Sequence, residues 1–242
     1  MFDLDKLRSD GYSKFTFKDV NMKRELLNGI VELFKNVSKS KEKNFDLSST
    51  SKIYNEDRNS WNRFYEICNN QSNIFKILSS DIIFDILKKA GYKYPGLQKS
   101  ASGLRFDFPN TQRTRFKPHQ DLPYNMGGFD NLIVWLPLLK TFKEMGSLRV
   151  YPKSHLNKEI YEYYIDDYNH KLVKGMEKFS NFEEIFVEED QGIIFSTTLI
   201  HASGDNKSHI PRITVLGRFF DFYDKSFVEK NFNPEPMKYK KK

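Results

Sequence analysis

The sequence predicts a mainly β protein of the α+β class, in which N-terminal helices precede an antiparallel sandwich or barrel of the jelly-roll kind. Over much of the first 95 residues, apolar residues recur at intervals of three and four. After Pro95 they come in short or alternating runs separated by Pro, Gly and Asn. Because helical and strand-like runs are segregated along the chain, alternating βαβ units are disfavoured.

Two amphipathic helices are predicted before the strand-rich part. Thr16 and Asp19 fit a helix-start capping pattern, and apolar residues follow at helical spacing as far as Val37. Residues 74–90 have the same periodicity, and Gly91 is placed as a C-cap. The first hundred residues are therefore expected to be largely helical.

Seven short segments in the second part of the chain are predicted as strands. They read SGLRFDF, RTRFKPH, NLIVWLPLL, SLRVY, EIFVE, GIIFSTTLI and RITVLGRFF. The tyrosine-rich residues 157–182 interrupt them and are interpreted as a lid or binding loop, with an ordinary surface helix as the alternative. We expect a single domain with a helical part (1–95), a jelly-roll core (96–225) and a basic tail (226–242).

Composition limits the classes of function. The 242 residues include 38% hydrophobic and 15% aromatic residues, which is typical of a folded globular protein. One cysteine, Cys68, excludes an internal disulfide framework and a cysteine-based zinc cluster. No apolar run is long enough for a membrane span, and the charged N-terminus is unlike a signal peptide, so a cytoplasmic protein is expected.

The net charge of +7 does not predict a nucleic-acid surface. Many lysines lie in the C-terminal tail or between residues 35 and 43, where they are expected to be solvated. No basic stripe with interleaved aromatic residues is present in the sequence. The expected partner is a small molecule, and the sequence does not determine the oligomeric state.

The segment RFKPHQDLPY contains the first candidate for chemistry. If it is a strand, His119 and Asp121 point to the same face. His201, at the end of GIIFSTTLIH, is the candidate for a third ligand. Two His and one carboxylate on one face of an octahedral ion leave three positions open, as non-haem Fe(II) needs for a bidentate co-substrate and dioxygen. The alternative for His119 and Asp121 is a surface strand pair or a buried hydrogen-bonded pair.

A second element of such a site would bind an anion. Arg212 begins the strand-like segment RITVLGRFF, and Thr214 follows it on the same face. A guanidinium fork matches a carboxylate, so Arg212 could hold the far end of a dicarboxylate whose keto-acid end chelates the metal. An ordinary salt bridge is the alternative for Arg212.

The segments HQD, WLPL, MGSLRVYPKSH, HASGDN and PRIT together resemble the phytanoyl-CoA dioxygenase family of Fe(II)- and 2-oxoglutarate-dependent oxygenases. The resemblance runs from about Leu104 to Phe220. It implies a double-stranded β-helix core, in agreement with the strand pattern. It further implies that His119, Asp121 and His201 hold Fe(II).

The same resemblance assigns further roles. Arg212 would pair with the distal carboxylate of 2-oxoglutarate, and Ser203 and Trp135 match positions that line this co-substrate. For Trp135 a place in the core is the alternative. The implied reaction consumes O2 and 2-oxoglutarate, releases succinate and CO2, and hydroxylates a small metabolite or a carrier-linked or sugar-linked compound. Related halogenases have a small residue where this chain has Asp121, so the carboxylate favours hydroxylation.

Several residues are weaker candidates for substrate contacts or depart from the family pattern. Arg105, Arg149 and Asn206 are candidates for the pocket or its rim, and pairing with Asp107 is the alternative for Arg105. The family's Pro-Gly-Ser-His is here PKSH, so Lys153 replaces a glycine in the turn.

Two other functions remain open at this point. In a cupin-like metal protein His155 would be a fourth ligand, and the protein would be an isomerase or a dioxygenase that needs no 2-oxoglutarate. In a non-catalytic jelly-roll binding module the same residues would serve the structure alone. On the first interpretation His155 is essential for metal binding, whereas on the oxygenase interpretation it is structural.

Overall fold

The computed structural model describes residues 2–37, 47–125, 128–168, 170–176 and 181–229. The helices in these ranges are α1 Leu4–Asp10, α2 Val20–Val37, α3 Ser48–Glu56, α4 Arg58–Asn69, α5 Ser72–Leu78, α6 Asp81–Lys89 and α7 Lys225–Val228. The strands are β1 Tyr12–Thr16, β2 Pro95–Leu97, β3 Gly103–Asp107, β4 Leu132–Pro137, β5 Leu148–Val150, β6 Tyr163–Ile165, β7 Lys171–Val173, β8 Glu183–Ile185, β9 Gln191–Ser196, β10 His201–Ser203 and β11 Arg212–Asp221. Most of the predicted basic tail, including its last lysines, lies outside the described residues.

The strands form three antiparallel sheets. The largest has the order β1-β9-β4-β11-β2, and β3 also pairs with β11. A smaller sheet has the order β10-β5-β8, and β6 and β7 form a separate hairpin. All pairings are antiparallel, as expected for a jelly-roll core.

The alternation of side chains along β4 explains the layering. Val134 and Leu136 belong to the larger hydrophobic core, which the helices form with one face of the large sheet. Ile133 and Trp135 belong to a second core, shared with Val150 and other residues of the small sheet. The helices thus cover one face of the large sheet and the small sheet covers the other, where a pocket can form between two sheets.

The helix predictions are confirmed for the first segment and corrected for the second. Helix α2 begins at Val20, and the backbone N–H of Met22 donates to the Asp19 carboxylate at 3.2 Å, so Asp19 rather than Thr16 caps it; Thr16 ends strand β1 instead. Residues 74–90 are not one helix. They are divided between α5 and α6, because Ser80 has an extended backbone (φ −69°, ψ 151°) and begins a new helix. Gly91 has φ +107°, the left-handed conformation that favours glycine after a helix.

Most strand predictions are confirmed, with several corrections. The segment RTRFKPH forms no regular strand: Pro118 cannot donate a backbone hydrogen bond, and His119 makes only an isolated bridge with His201. Strand β1, which pairs with β9, was not predicted. The described part of residues 157–182 contains the β6–β7 hairpin, so the surface-helix alternative is wrong there.

The turn that lacks the family's glycine keeps a glycine-like backbone. Lys153 has φ +68°, and its N–H donates to the Asp10 carbonyl at 3.1 Å. A non-glycine residue in this conformation costs roughly 1–2 kcal/mol, which the surrounding contacts must offset. Lys153 therefore occupies a strained backbone position in this turn.

Within the part of the chain that is described, no helix is both long and apolar enough to cross a bilayer.

Candidate active site

Backbone pairing brings the three predicted metal ligands together. The N–H of His119 donates to the carbonyl of His201 at 2.9 Å, and the N–H of His201 donates back to the carbonyl of His119 at 3.0 Å. The N–H of Asp121 donates to the Thr197 carbonyl at 3.1 Å, which fixes the loop to the turn after β9. His201 itself starts β10 and pairs with Val150 of β5.

The side chains of the three residues converge, but not by strand alternation. Asp121 has a helical backbone (φ −81°, ψ −19°) and precedes a short 3-10 helix, Leu122–Tyr124. Nevertheless, Asp121 Oδ1 lies 3.6 Å from His119 Nε2 and 3.9 Å from His201 Nε2. All three residues are buried, and their ligand atoms lie within 4.8 Å of one another.

Hydrogen bonds fix the tautomer of both imidazoles. His119 Nδ1 lies 2.8 Å from the Lys117 carbonyl, and His201 Nδ1 lies 3.0 Å from the Leu199 carbonyl. A carbonyl only accepts, so each Nδ1 carries the proton and each Nε2 keeps its lone pair toward the cluster. Burial lowers the pKa of both imidazoles, well below the usual value for His119, so both are neutral near pH 7.

A guanidinium holds the carboxylate of the cluster from its other side. Arg218 Nε and Nη2 lie 3.2 and 3.0 Å from Asp121 Oδ2, which leaves Oδ1 facing the imidazoles. Burial alone would raise the pKa of Asp121, but Arg218 and then the two histidines outweigh it and hold this pKa at about 2. The carboxylate is therefore ionised and oriented for a single ligand bond.

The chemistry of this donor set fits Fe(II). Two neutral imidazole nitrogens and one carboxylate oxygen converge on one point, and each is fixed from behind by a carbonyl or a guanidinium. This is the 2-His-1-carboxylate set of non-haem iron oxygenases.

Three charged residues form a second cluster beside the first, in which Asp107 and Arg212 are buried and Arg105 is partly exposed. The register of β3 against β11 places Asp107 opposite Arg212. Arg212 Nη2 lies 2.9 Å from Asp107 Oδ2, and Arg105 Nη2 lies 2.6 Å from Asp107 Oδ1. Burial opposes ionisation of Asp107, but Arg105 and Arg212 together lower its pKa. Two guanidiniums share one carboxylate, so the cluster keeps one uncompensated positive charge in a buried place.

Two buried polar atoms in the same region have no partner among the described residues. They are Arg212 Nε and Thr214 Oγ1. Arg212 is only 2% exposed, and a buried unpaired donor is costly. An acidic ligand that accepts from Arg212 Nε would satisfy this unpaired donor and neutralise the excess positive charge.

A cavity of about 240 Å³ joins the two clusters. Among the predicted site residues, those that line it are His119, Asp121, His201, Arg212, Ser203, Trp135 and Arg105. The Ser203 hydroxyl accepts from Arg105 at 2.9 Å, and the Trp135 ring lies 5.8 Å from the Arg212 guanidinium. Arg105 and Arg212 also form the ion pairs that were their alternative interpretation, both with Asp107. Trp135 likewise belongs to a hydrophobic core as well as facing the cavity.

Three other predicted residues are not among those that line the cavity. Thr214 is fully buried and does not line the cavity. Arg149 pairs with Glu184 at 3.3 Å, and the Asn206 amide donates to the carbonyls of Asp107 and Ile210. Asn206 thus supports the strand that carries Asp107, while Arg149 lies in the small sheet.

The sequence did not single out Arg218, nor the pairing of Asp107 with Arg212. Arg218 lies six residues after Arg212 on β11, at an even spacing that places both on one face of the strand. This even spacing is the sequence signal that could have identified Arg218 as a residue on the same face as Arg212.

His155 is separate from the metal-ligating cluster. Its Nε2 lies 3.0 Å from the Arg8 carbonyl, and it lines a different cavity, near α1. Among the described residues, the only group that could hold a metal is His119, Asp121 and His201. The geometry therefore gives no support to a four-ligand cupin-like site.

Comparison with known proteins agrees with this architecture. Residues 25–214 match the family model described as phytanoyl-CoA dioxygenase (PhyH). No curated protein matches the sequence.

Solved structures share the fold at low sequence identity. The apo form of the non-haem monooxygenase ThoJ has a TM-score of 0.65 at 17% identity, over 90% of this chain and 77% of that chain. The epimerase SnoN, solved with iron(III), α-ketoglutarate and nogalamycin RO, has a TM-score of 0.62 at 14% identity, over 90% and 82%. EctD from S. alaskensis, solved with 2-oxoglutarate and 5-hydroxyectoine, has a TM-score of 0.58 at 14% identity, over 91% and 76%. The predicted fold class is confirmed.

Proposed function

The chain belongs to the phytanoyl-CoA dioxygenase family and is therefore a 2-oxoglutarate-dependent non-haem iron oxygenase. We propose that it hydroxylates a small molecule with release of succinate and CO2. The observation that carries the proposal is the convergence of two imidazoles and one carboxylate within 4.8 Å, with their lone pairs directed inward. We assign Fe(II) binding to His119, Asp121 and His201. The bound iron would supply the activation of dioxygen, with 2-oxoglutarate as the source of two electrons.

We assign the distal carboxylate of 2-oxoglutarate to Arg212. The proposal is supported by the unpartnered Nε donor of Arg212 and by the uncompensated charge that Arg105 and Arg212 leave around Asp107. Ser203 and Trp135 would line the co-substrate, since both face the cavity. A cavity of about 240 Å³, equal to roughly eight water volumes, has room for a small dicarboxylic acid.

The chain's own residues would orient the reactants and exclude water. The rings of Phe116 and Phe195 lie 5.0 and 4.7 Å from the rings of His119 and His201, so the ligands are shielded on their apolar sides. Arg218 would keep Asp121 ionised and bound through one oxygen. Neither imidazole would need to lose a proton before binding metal, because both are neutral near pH 7.

Arg218→Gln should weaken Fe(II) binding by about 10- to 100-fold, the usual cost of losing a group that orients a metal ligand. Without the guanidinium, Asp121 Oδ2 loses its partner and the carboxylate can turn. Arg218→Lys keeps the charge but not the fork, so its loss should be smaller. Anaerobic titration against a competing chelator measures the Fe(II) affinity of both variants. Wild-type affinity in Arg218→Gln would show that Arg218 does not support the metal site.

The proposed function is tested by anaerobic titration of the wild-type protein with Fe(II) and 2-oxoglutarate. We expect the visible charge-transfer band that forms when a keto acid chelates iron, at one equivalent of each. On admission of oxygen, slow release of succinate should follow even without the substrate. Metal binding without the band would favour a 2-oxoglutarate-independent metal enzyme, and absence of metal binding would favour a binding module.

A further inference from the structure

A large groove opens beside the catalytic cavity. It has a volume of about 1190 Å³ and is bordered by α3, α4, β3 and the segment between β2 and β3. Arg105, Phe116 and Arg218 line both the groove and the cavity, so the two spaces adjoin. A molecule in the groove could therefore extend one end toward the proposed iron ligands.

The groove has an aromatic wall. Its rings are those of Tyr54, Trp61, Tyr65, Phe75, Phe106 and Phe108. Most of them pack on one another, as in the stack of Tyr54 on Phe108 with ring centroids 4.0 Å apart. Tyr65 is the most exposed of these aromatic side chains, at 39%, and its hydroxyl donates to the Leu104 carbonyl. Such a wall fits an apolar part of a ligand.

The charge of the groove is strongly one-sided. Its lining includes five basic side chains and one acidic one, Glu66. The whole chain has 39 basic and 32 acidic residues, so the groove is far more positive than the composition requires. Arg105 and Arg218 are paired with Asp107 and Asp121. The excess is therefore carried by the three other basic residues, Arg58, Lys99 and Arg113.

These three cations form no ion pair with any residue that the structure describes. Two of them rest on aromatic rings. The Arg58 guanidinium lies 3.7 Å from the centre of the Tyr54 ring, and Lys99 Nζ lies 5.3 Å from that of Phe75. This contact fixes the flat face of Arg58 and leaves its N–H edges available. An anion would thus meet donors that are already oriented.

We propose that this groove binds the substrate, and that the substrate carries an acidic group, a phosphate, sulfate or carboxylate, joined to an apolar part. The acidic group would lie against Arg58 and Arg113, and the apolar part along the aromatic wall toward Phe116. The inference rests on the proposed function, since it takes the adjoining cavity as the place of oxidation. It adds a substrate class that the family membership leaves open.

A pair of fluorescent probes separates the two parts of the proposal. The first, 8-anilinonaphthalene-1-sulfonate, is aromatic and anionic, and N-phenyl-1-naphthylamine has the same rings without the charge. Both are titrated into protein loaded with Ni(II) and 2-oxoglutarate. In Arg58→Gln/Arg113→Gln, affinity for the sulfonate should fall about tenfold, as expected for two exposed charge contacts, while affinity for the neutral probe stays unchanged.

The control loses the same charge elsewhere. Arg63 lies on the same helix as Arg58, and Lys88 lies on α6; both are exposed and neither lines the groove. Arg63→Gln/Lys88→Gln should bind both probes like the wild type. Three results would overturn the proposal. The control could lose as much sulfonate affinity as the groove variant, the groove variant could lose affinity for the neutral probe in parallel, or the groove variant could lose no sulfonate affinity.

The proposed substrate class and the proposed oxygenase function can be disproved separately. The charge-transfer band with Fe(II) and 2-oxoglutarate should be unchanged in Arg58→Gln/Arg113→Gln, because neither residue lines the catalytic cavity. If the wild type lacks the band, the proposed function falls while the probe comparison still tests the groove. If the band forms and the probe comparison fails, the substrate class alone falls.

Discussion

His201→Ala is expected to abolish the charge-transfer band and to lower 2-oxoglutarate decarboxylation by about a thousandfold or more, because the substitution removes one of the three side chains that could hold the iron. The His201 ring lies 4.2 Å from the ring of His119, and its Nε2 lies 3.9 Å from Asp121 Oδ1. Two remaining ligands cannot define a face of an octahedral ion. The band is measured anaerobically, and decarboxylation is measured as succinate release.

His155→Ala is the matched control. It removes an imidazole that, like that of His201, is hydrogen-bonded to a backbone carbonyl, in this case that of Arg8, although His155 is only partly buried. Because His155 lies outside the metal-ligating cluster, the band and succinate release should remain close to those of the wild type. The cupin-like alternative expects the opposite, with metal binding lost in His155→Ala. A band that persists in His201→Ala would contradict the assigned ligand set.

The fold could be predicted where the signal is local. The segment LIVWLP is apolar on both faces because β4 lies between two hydrophobic cores, and it was identified as a strand. Strand β1 was not, because Ser13 and Lys14 weaken its apolar pattern and its partner β9 lies almost 180 residues away. Such a strand is specified by a long-range pairing that no local window contains.

The site shows the same division. His119, Asp121, His201 and Arg212 could be selected because their residue types and order predict chemistry. The residues that pair with them could not be predicted, because the Asp107–Arg212 pair, for example, depends on the register of β3 against β11. The path of the chain at Asp121 was also predicted wrongly, since the residues converge through a proline-containing loop rather than a strand.

Family membership and the buried charges explain different features of the site. Family membership identifies the co-substrate, but it does not say why this chain keeps Arg105 and Arg212 around a single carboxylate. The proposed binding of 2-oxoglutarate would explain it, because a buried positive charge is tolerated when a ligand neutralises it. Net positive charge then continues outward along the groove, so one electrostatic feature would attract the co-substrate and the substrate alike.

Arg212→Gln is expected to raise the KM for 2-oxoglutarate by about 10- to 100-fold while kcat changes by only a few fold. Glutamine preserves much of the volume but removes the guanidinium fork, and a charge-assisted hydrogen bond is worth about 1.5–3 kcal/mol. Asp107 keeps Arg105 as a partner, so the protein should still fold. The effect falls on KM because the distal carboxylate lies away from the reacting atoms and its contact is the same before and during reaction.

Arg149→Gln provides the control for this effect, since Arg149 also pairs with a carboxylate, that of Glu184, but does not line the cavity. Its KM should equal that of the wild type. Arg212→Lys, which retains charge without the fork or the Nε donor, should lie between Arg212→Gln and the wild type. An unchanged KM in Arg212→Gln, with a raised KM in Arg105→Gln, would assign the distal carboxylate to Arg105 and leave Arg212 as an ion-pair partner of Asp107. Succinate release at varied 2-oxoglutarate concentration distinguishes these outcomes, because each assigns the loss of affinity to a different guanidinium.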